Sequence, residues 1–195
     1  MSEASKIFKR HIANRIDLND DEFEHFLSFF SLKTVKKRQF IIQPDFVPNH
    51  RNFVVQGAMR AYIIDDSGNE HTIQFAIDNW WITDYNAYIY QKPATMFVMA
   101  QEDTLLLQII HKKEIELKAI SPKFETFFRI MAERSTAYMQ RRVIERLTLN
   151  AEERYEHFLD KYPLMAHRFP QYAIASYIGV TTEFLSRMRK NRLSK

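Results

Sequence analysis

The sequence contains no cysteine, and only three glycines and six prolines occur among its 195 residues. The absence of cysteine excludes disulfides, thiolate-bound zinc and iron–sulfur clusters. The scarcity of glycine and proline leaves little room for flexible linkers or low-complexity segments. A chain of this length therefore predicts one large or two small folded domains.

Motifs for catalysis and for metal binding are also missing. The seven histidines are never three or four residues apart, and the sequence has no P-loop, no Gly-rich dinucleotide motif and no Gly-x-Ser-x-Gly. We therefore expect no enzyme activity, no catalytic residue, no metal site and no cofactor. The apolar runs are too short to span a bilayer and the N-terminus has no signal region, so we expect a soluble, cytoplasmic protein without a membrane partner.

Secondary-structure patterns divide the chain into a β-rich middle and two helical ends. Helices are predicted over residues 5–16 and 20–30, and Asn19 with Glu22 is typical of a capping box at the start of the second. Residues 32–110 contain short apolar segments separated by turn signals, and the clearest hairpin turn is at residues 65–69. Many short strands at this spacing indicate an all-β sandwich or barrel.

A long helix is predicted after the β region. A short helix over residues 112–120 precedes Ser121 and Pro122, which suit the N-cap and first position of a helix that continues to about residue 150. Two apolar series repeat every seven residues along it: Phe124, Met131 and Tyr138, and Ile130, Ala137 and Ile144. Such a helix either lies buried within its own monomer or covers the β domain with one face and a partner helix with the other. We expect a homodimer, with Met131 and Tyr138 at the interface; the alternative is that both residues face the β domain.

The C-terminal segment has the pattern of a helix-turn-helix. A helix is predicted over residues 152–161, and residues 169–190 follow as the motif. Ile174 and Ile178 share one face of its first helix, Gly179 permits a tight turn, and Leu185 with Met188 would face back from the second helix. In this motif the second helix enters the major groove of DNA.

The other side of that second helix is polar and basic. Its candidate DNA-contacting residues are Thr181, Thr182, Glu183, Ser186, Arg187, Arg189 and Lys190. From Arg168 onward the chain has six Lys or Arg and one acid, whereas the preceding residues carry a slight acidic excess. A basic excess confined to one segment is typical of a nucleic-acid-binding surface. The alternative is a helical hairpin that contacts protein.

The order of β sandwich, long helix and C-terminal helix-turn-helix resembles the CRP/FNR family of bacterial regulators. Residues 52–73 are similar to the family's cyclic-nucleotide-type β roll, with Gly57 after a strand and a hairpin that ends in Gly68 and Glu70. Residues 179–188 are similar to the family's recognition helix, and the positions facing the bases there are held by Thr182, Glu183 and Arg187. Physically, Arg can read guanine, Glu can accept from cytosine, and Thr can contact a thymine methyl group.

The resemblance implies an α+β fold in three parts. Residues 1–120 would form a cyclic-nucleotide-binding-like jelly roll or double-stranded β-helix, residues 121–150 a dimerisation helix, and residues 151–195 a DNA-binding domain. The implied function is dimeric, sequence-specific regulation of transcription, with palindromic double-stranded DNA, a second copy of the chain, a small-molecule effector and RNA polymerase as partners. Family members usually continue into a β wing, which we expect to be reduced or missing. A basic tail would replace some of its phosphate contacts: Arg189, Lys190, Arg192 and Lys195.

Residues 79–95 correspond to the family's phosphate cassette and depart from its pattern. The cassette's Gly-Glu pair falls on Thr83 and Asp84 or one residue earlier, its Arg falls near Pro93, and Lys92 is the only nearby cation. Because a buried phosphate without a cation is costly, we expect that the effector is not cyclic AMP.

The aromatic residues of this segment either form a pocket for a flat or apolar effector, or fill the space that the effector occupies in the family so that nothing binds there. The candidate effector residues are Trp81, Thr83, Asp84, Tyr85, Lys92 and Thr95. The alternative function is a small-molecule or cyclic-nucleotide binding module whose helical tail contacts protein.

Overall fold

The computed structural model describes residues 1–193, with only the backbone for residues 192 and 193. Within this range, eight strands form two four-stranded antiparallel sheets. The first sheet has the order β1 (Phe30–Val35), β8 (Thr104–Ile110), β3 (His50–Gln56) and β6 (Trp81–Ile82). The second has the order β2 (Phe40–Ile42), β7 (Phe97–Ala100), β4 (Met59–Ile64) and β5 (Glu70–Ala76). The predicted β sandwich is confirmed.

Small and branched apolar side chains fill the space between the sheets. This cluster includes Val54, Met59, Val98 and Leu106. The predicted hairpin at residues 65–69 forms between β4 and β5. The Asp65 carboxylate accepts hydrogen bonds there from the backbone amides of Ser67 and Asn69. The interior of the roll is therefore a packed core.

Helices cover one side of the roll. They are α1 (Glu3–Ala13), α2 (Asp20–Leu27), α3 (Tyr85–Tyr90), α4 (His111–Ile120) and the N-terminal half of α5 (Pro122–Thr148). The predicted capping box of Asn19 and Glu22 is present at α2, and Ser121 caps α5 with Pro122 in its first turn. A cluster rich in phenylalanine joins α1, α2, α4 and α5 to β3 and β8. The prediction of helix to residue 30 was wrong at its end, because Phe30 pairs with Ile109 in the sheet.

The seven-residue series on α5 lie differently from the prediction. Phe124 is buried in the phenylalanine-rich cluster and Met131 packs against it. The Tyr138 hydroxyl lies 2.9 Å from that of Tyr177 in the C-terminal part of the same chain. The placement of Met131 and Tyr138 at a dimer interface was therefore wrong, because they cover neighbours within the monomer. The second series differs, since Ile144 is exposed.

The C-terminal part consists of α6 (Ala151–Lys161), α7 (Pro163–Arg168), α8 (Gln171–Ile178) and α9 (Thr182–Leu193). The sequence analysis did not predict α7. These helices share a buried cluster with β5, in which the Phe75 and Phe169 rings stack with centroids 3.9 Å apart. The fold is thus α+β, with the helical C-terminal part packed directly on the second sheet. In residues 1–193 no helix is both long and apolar enough to cross a membrane.

Candidate DNA-binding surface and effector pocket

The predicted helix-turn-helix is formed by α8, a turn at Gly179 and α9. Gly179 has a φ of +83°, which favours glycine, and its amide donates to the Ala175 carbonyl. Thr181 caps α9 by accepting from the Phe184 amide at 3.2 Å. Leu185 and Met188 are buried in the core shared with α8. Two apolar anchors thus fix which side of α9 faces outward.

All seven predicted DNA-contacting positions are exposed: Thr181, Thr182, Glu183, Ser186, Arg187, Arg189 and Lys190. The Arg187 guanidinium lies 5.6 Å from the centre of the partly exposed Phe184 ring. Phe184 was not among the predicted residues. The exposed surface of α9 is therefore basic and polar with one aromatic ring.

Not every basic residue of the C-terminal segment contributes to that surface. Arg168 forms ion pairs with Asp78, at 2.6 Å, and with Glu102 of the roll. The predicted basic tail falls partly outside the described residues, since the structure gives no side chain for Arg192 and nothing for Lys195. The reduced wing likewise lies outside them and stays a prediction.

Polar contacts hold the helix-turn-helix against the roll. The Ser176 hydroxyl donates to the Glu70 carbonyl at 2.6 Å and accepts from the Thr72 amide at 2.7 Å. Arg142 of α5 donates to the Tyr177 carbonyl at 3.3 Å and its guanidinium lies 3.9 Å from the centre of that ring. The C-terminal end of α8 is thereby tied to both β5 and α5.

The C-terminal half of α5 carries four exposed apolar side chains. Val143 is 55% exposed and Leu147 is 80% exposed, with exposed Met139 and Ile144 beside them. These four side chains, the α5 stripe, recur at three- and four-residue intervals and so lie along one face. Among the described residues, all four keep at least 39% of their surface exposed.

A cleft of about 310 Å³ opens between the roll, α1 and α5. Three of the predicted effector residues line it: Trp81, Thr83 and Tyr85. Three cations in its wall were not predicted from the sequence: Arg15, Arg51 and Arg134. They lie just after α1, in β3 and in α5, far apart in the sequence, and no local motif marks them.

No protein-family model matches the sequence, and neither does any curated protein. Solved structures do match it. The c-di-GMP-responsive global regulator CLP of Xanthomonas campestris aligns with a TM-score of 0.72 at 16% identity, over 90% of this chain and 92% of that one. FixK2 from Bradyrhizobium japonicum aligns with a TM-score of 0.75 at 17% identity, over 85% of each chain. A putative crp/fnr-family regulator from Eubacterium rectale gives 0.69 at 18% identity, over 91% of this chain and 85% of that one.

The chain has the CRP/FNR fold. The likeness extends from the roll through α5 to the helix-turn-helix, because each alignment spans at least 85% of the residues. The predicted family resemblance is confirmed at the level of fold.

The cassette segment of this CRP/FNR fold is occupied by internal hydrogen bonds. Asp84 is fully buried, caps α3 by accepting from the Ala87 amide at 3.0 Å, and accepts from the Thr95 amide at 2.9 Å. Lys92 lies over the Tyr90 ring and outside the cleft. The structure therefore separates the predicted effector residues into two groups: Asp84, Lys92 and Thr95 do not line the cleft, whereas Trp81, Thr83 and Tyr85 do.

Proposed function

We propose that this protein is a sequence-specific DNA-binding regulator of transcription that acts as a homodimer. The observation that carries the proposal is α9: a helix held by Leu185 and Met188, with an exposed polar face, at the C-terminal end of a CRP/FNR fold. Helices presented in this way dock in the major groove.

Specificity on this proposal comes from the outward centre of α9. Glu183, Arg187 and Lys190 recur at three- and four-residue intervals and so share a face opposite the buried Leu185. An Arg in the groove can donate two hydrogen bonds to guanine, whereas a Lys at the groove edge serves better as a phosphate contact. We therefore assign base reading to Arg187 and Glu183, and backbone contact to Lys190.

A second copy of the chain supplies the second recognition helix. One helix makes few base contacts, and a dimer places two of them about 34 Å apart on successive turns of the duplex. The α5 stripe supports this arrangement, since its exposed apolar side chains are the type that two helices bury against each other. We accordingly move the proposed dimer contact from Met131 and Tyr138 to Val143 and Leu147.

The domain division proposed here follows the element boundaries, with the roll in residues 1–120, the dimerisation helix in 121–150 and the DNA-binding part from 151 onward. Recruitment or exclusion of RNA polymerase would follow from DNA binding and is part of the same proposal.

The first experiment is selection of bound fragments from the genomic DNA of the source, followed by titration of the recovered sequence at several salt concentrations. We expect a palindromic site and an affinity that falls steeply with salt, because bound phosphates release counterions. The double variant R187A/K190A should lose the affinity, while K36A/K37A, which removes two exposed cations of the roll, serves as a charge-matched control. Recovery of no enriched sequence, or equal loss in the control, would favour the alternative of a ligand-binding module whose helical tail contacts protein.

A further inference from the structure

The cleft between the roll, α1 and α5 contains two cations without an acidic partner. Among the residues that the structure describes, neither Arg15 nor Arg134 pairs with an Asp or Glu, and no acid lines the cleft. Arg15 donates to the His11 carbonyl, but its buried Nε atom has no hydrogen-bond partner within the described chain. Burial and the nearby charge of Arg134 lower the pKa of Arg15. A partly buried cation and an exposed one therefore lie close enough to repel each other, which is unfavourable unless an anion joins them.

The third arginine of the cleft is different. Arg51 is buried and pairs with the buried carboxylate of Glu114 at 3.3 Å, and its guanidinium lies 5.2 Å from the centre of the Trp81 ring. Glu114 also accepts from Lys118 and from the Tyr88 hydroxyl. This network is satisfied internally, so the charge that lacks a partner belongs to Arg15 and Arg134.

The remaining walls of the cleft are aromatic and apolar. Trp80, Trp81, Tyr85, Tyr138 and Met131 line it. Trp80 and Tyr138 meet edge to face, with centroids 5.9 Å apart and planes at 82°. Flat rings bind well against such surfaces, whereas a small inorganic ion would leave them unused.

We propose that this cleft binds a planar organic anion, with its charged group between Arg15 and Arg134 and its ring system against Trp80, Tyr138 and Met131. A cleft of about 310 Å³ accommodates a fused two-ring carboxylate. The paired guanidinium groups provide the donors that a carboxylate prefers, and the rings exclude water on one side.

The bound anion would act on the helix-turn-helix, an aspect that rests on the proposed function. Tyr138 forms the cleft wall and also hydrogen-bonds to Tyr177 of α8 at 2.9 Å. Trp80, which contacts Tyr138 in the same wall, also packs edge to face on Tyr162 after α6. Movement of either ring on binding would therefore change the contacts that hold α8 and α6 against the roll.

Intrinsic tryptophan fluorescence reports directly on the cleft, because both tryptophans of the chain line it. The probe is β-naphthoate, and the matched control ligand is its uncharged amide, β-naphthamide. We expect saturable quenching by the carboxylate with the full-length protein and binding of the amide that is weaker by about tenfold or more, since the amide cannot pair with the two cations. Equal affinity for both ligands would overturn the anion assignment, as would a lack of saturable binding by the carboxylate.

Arg134 is exposed, so Arg134→Gln should fold normally and weaken naphthoate binding by about tenfold. Arg15→Gln should have the same effect, but Arg15 is partly buried and circular dichroism must first establish that this variant folds. The matched control is Arg38→Gln, an exposed arginine outside the cleft, for which we expect unchanged binding. Unchanged affinity in the folded Arg134→Gln variant would contradict the proposal.

The two proposals fail separately. Naphthoate binding that depends on Arg134, in a protein that selects no DNA, would support the cleft and contradict the regulatory role. DNA selection by a protein whose tryptophan fluorescence does not respond to naphthoate would support the regulatory role and contradict the proposal for the cleft. When both hold, naphthoate should shift the affinity for the selected DNA in the native protein and leave it unshifted in Arg134→Gln.

Discussion

Acidification tests the electrostatics around α1, because His11 is held neutral in the folded protein. Burial, with the charges of Arg15 and Arg134, lowers the pKa of His11 to about 3. Its Nε2 atom accepts a hydrogen bond from the Trp81 indole at 3.1 Å, which the protonated ring could not do. In the unfolded chain the imidazole regains its ordinary pKa of about 6.5.

The unfolded state thus binds a proton that the folded state does not in the window between these two pKa values. Stability is then lost as the pH falls below about 6.5, and the loss levels off only near pH 3, where the folded state also protonates. Each pH unit inside the window costs about 1.4 kcal/mol, so acidification from about pH 7 to about pH 5 should remove about 2 kcal/mol through His11 alone.

The assay is urea denaturation at those two pH values for the native protein and for His11→Gln, whose side-chain amide cannot titrate. The two proteins are compared by their change in unfolding free energy with pH, so that the intrinsic cost of the substitution cancels. His50 also has a pKa lowered by burial, and its contribution cancels as well because both proteins keep it. An equal loss of stability in both proteins would show that His11 is not held neutral.

Three further predictions test the packing. The double variant Val143→Glu/Leu147→Glu should give a folded monomer, because both side chains are exposed and face a second copy in the proposed dimer. Light scattering measures the oligomeric state and circular dichroism the folding. A dimer that persists in the variant would contradict the assignment. Gly179→Ala should lower the free energy of unfolding by about 1 kcal/mol, because alanine is strained at the positive φ of this position. Gly57→Ala should lower it by at least about 2 kcal/mol, since the new Cβ would lie 2.4 Å from Thr104 Oγ1. Equal losses in denaturation experiments would refute this distinction. Arg168→Gln should destabilise the protein by about 1 kcal/mol through its lost ion pairs and increase proteolysis of the C-terminal part, and unchanged proteolysis would count against these pairs as a tether.

Local signals predicted much of the fold. The Asn19 capping box, the Ser121–Pro122 start of α5 and the turn at Gly179 were all confirmed because each depends on a few neighbouring residues. The short elements β6 and α3 were missed: a two-residue strand has no periodicity, and α3 is set by Asp84, whose partner Thr95 lies beyond the helix.

The candidate sites were predictable to different degrees. The exposed face of α9 follows from the spacing of Leu185 and Met188, so its polar residues could be named from the sequence. The cations of the cleft could not, because Arg15 and Arg134 come together only through the packing of α1 beside α5. Tyr138 was misplaced for a related reason: a seven-residue repeat indicates an apolar face but not which neighbour covers it.

The most direct test of the account is a titration of the native protein and of Arg187→Ala against the selected operator and its single-base variants. We predict that the native protein binds more weakly to each operator variant in which a contacted base pair is changed. Arg187→Ala should lower the free energy of binding to the operator by about 1–3 kcal/mol and relax the base preference at one position. Lys190→Ala should instead weaken binding to all sequences by a similar factor. Full affinity and unchanged base preference in Arg187→Ala would contradict the claim that α9 reads DNA.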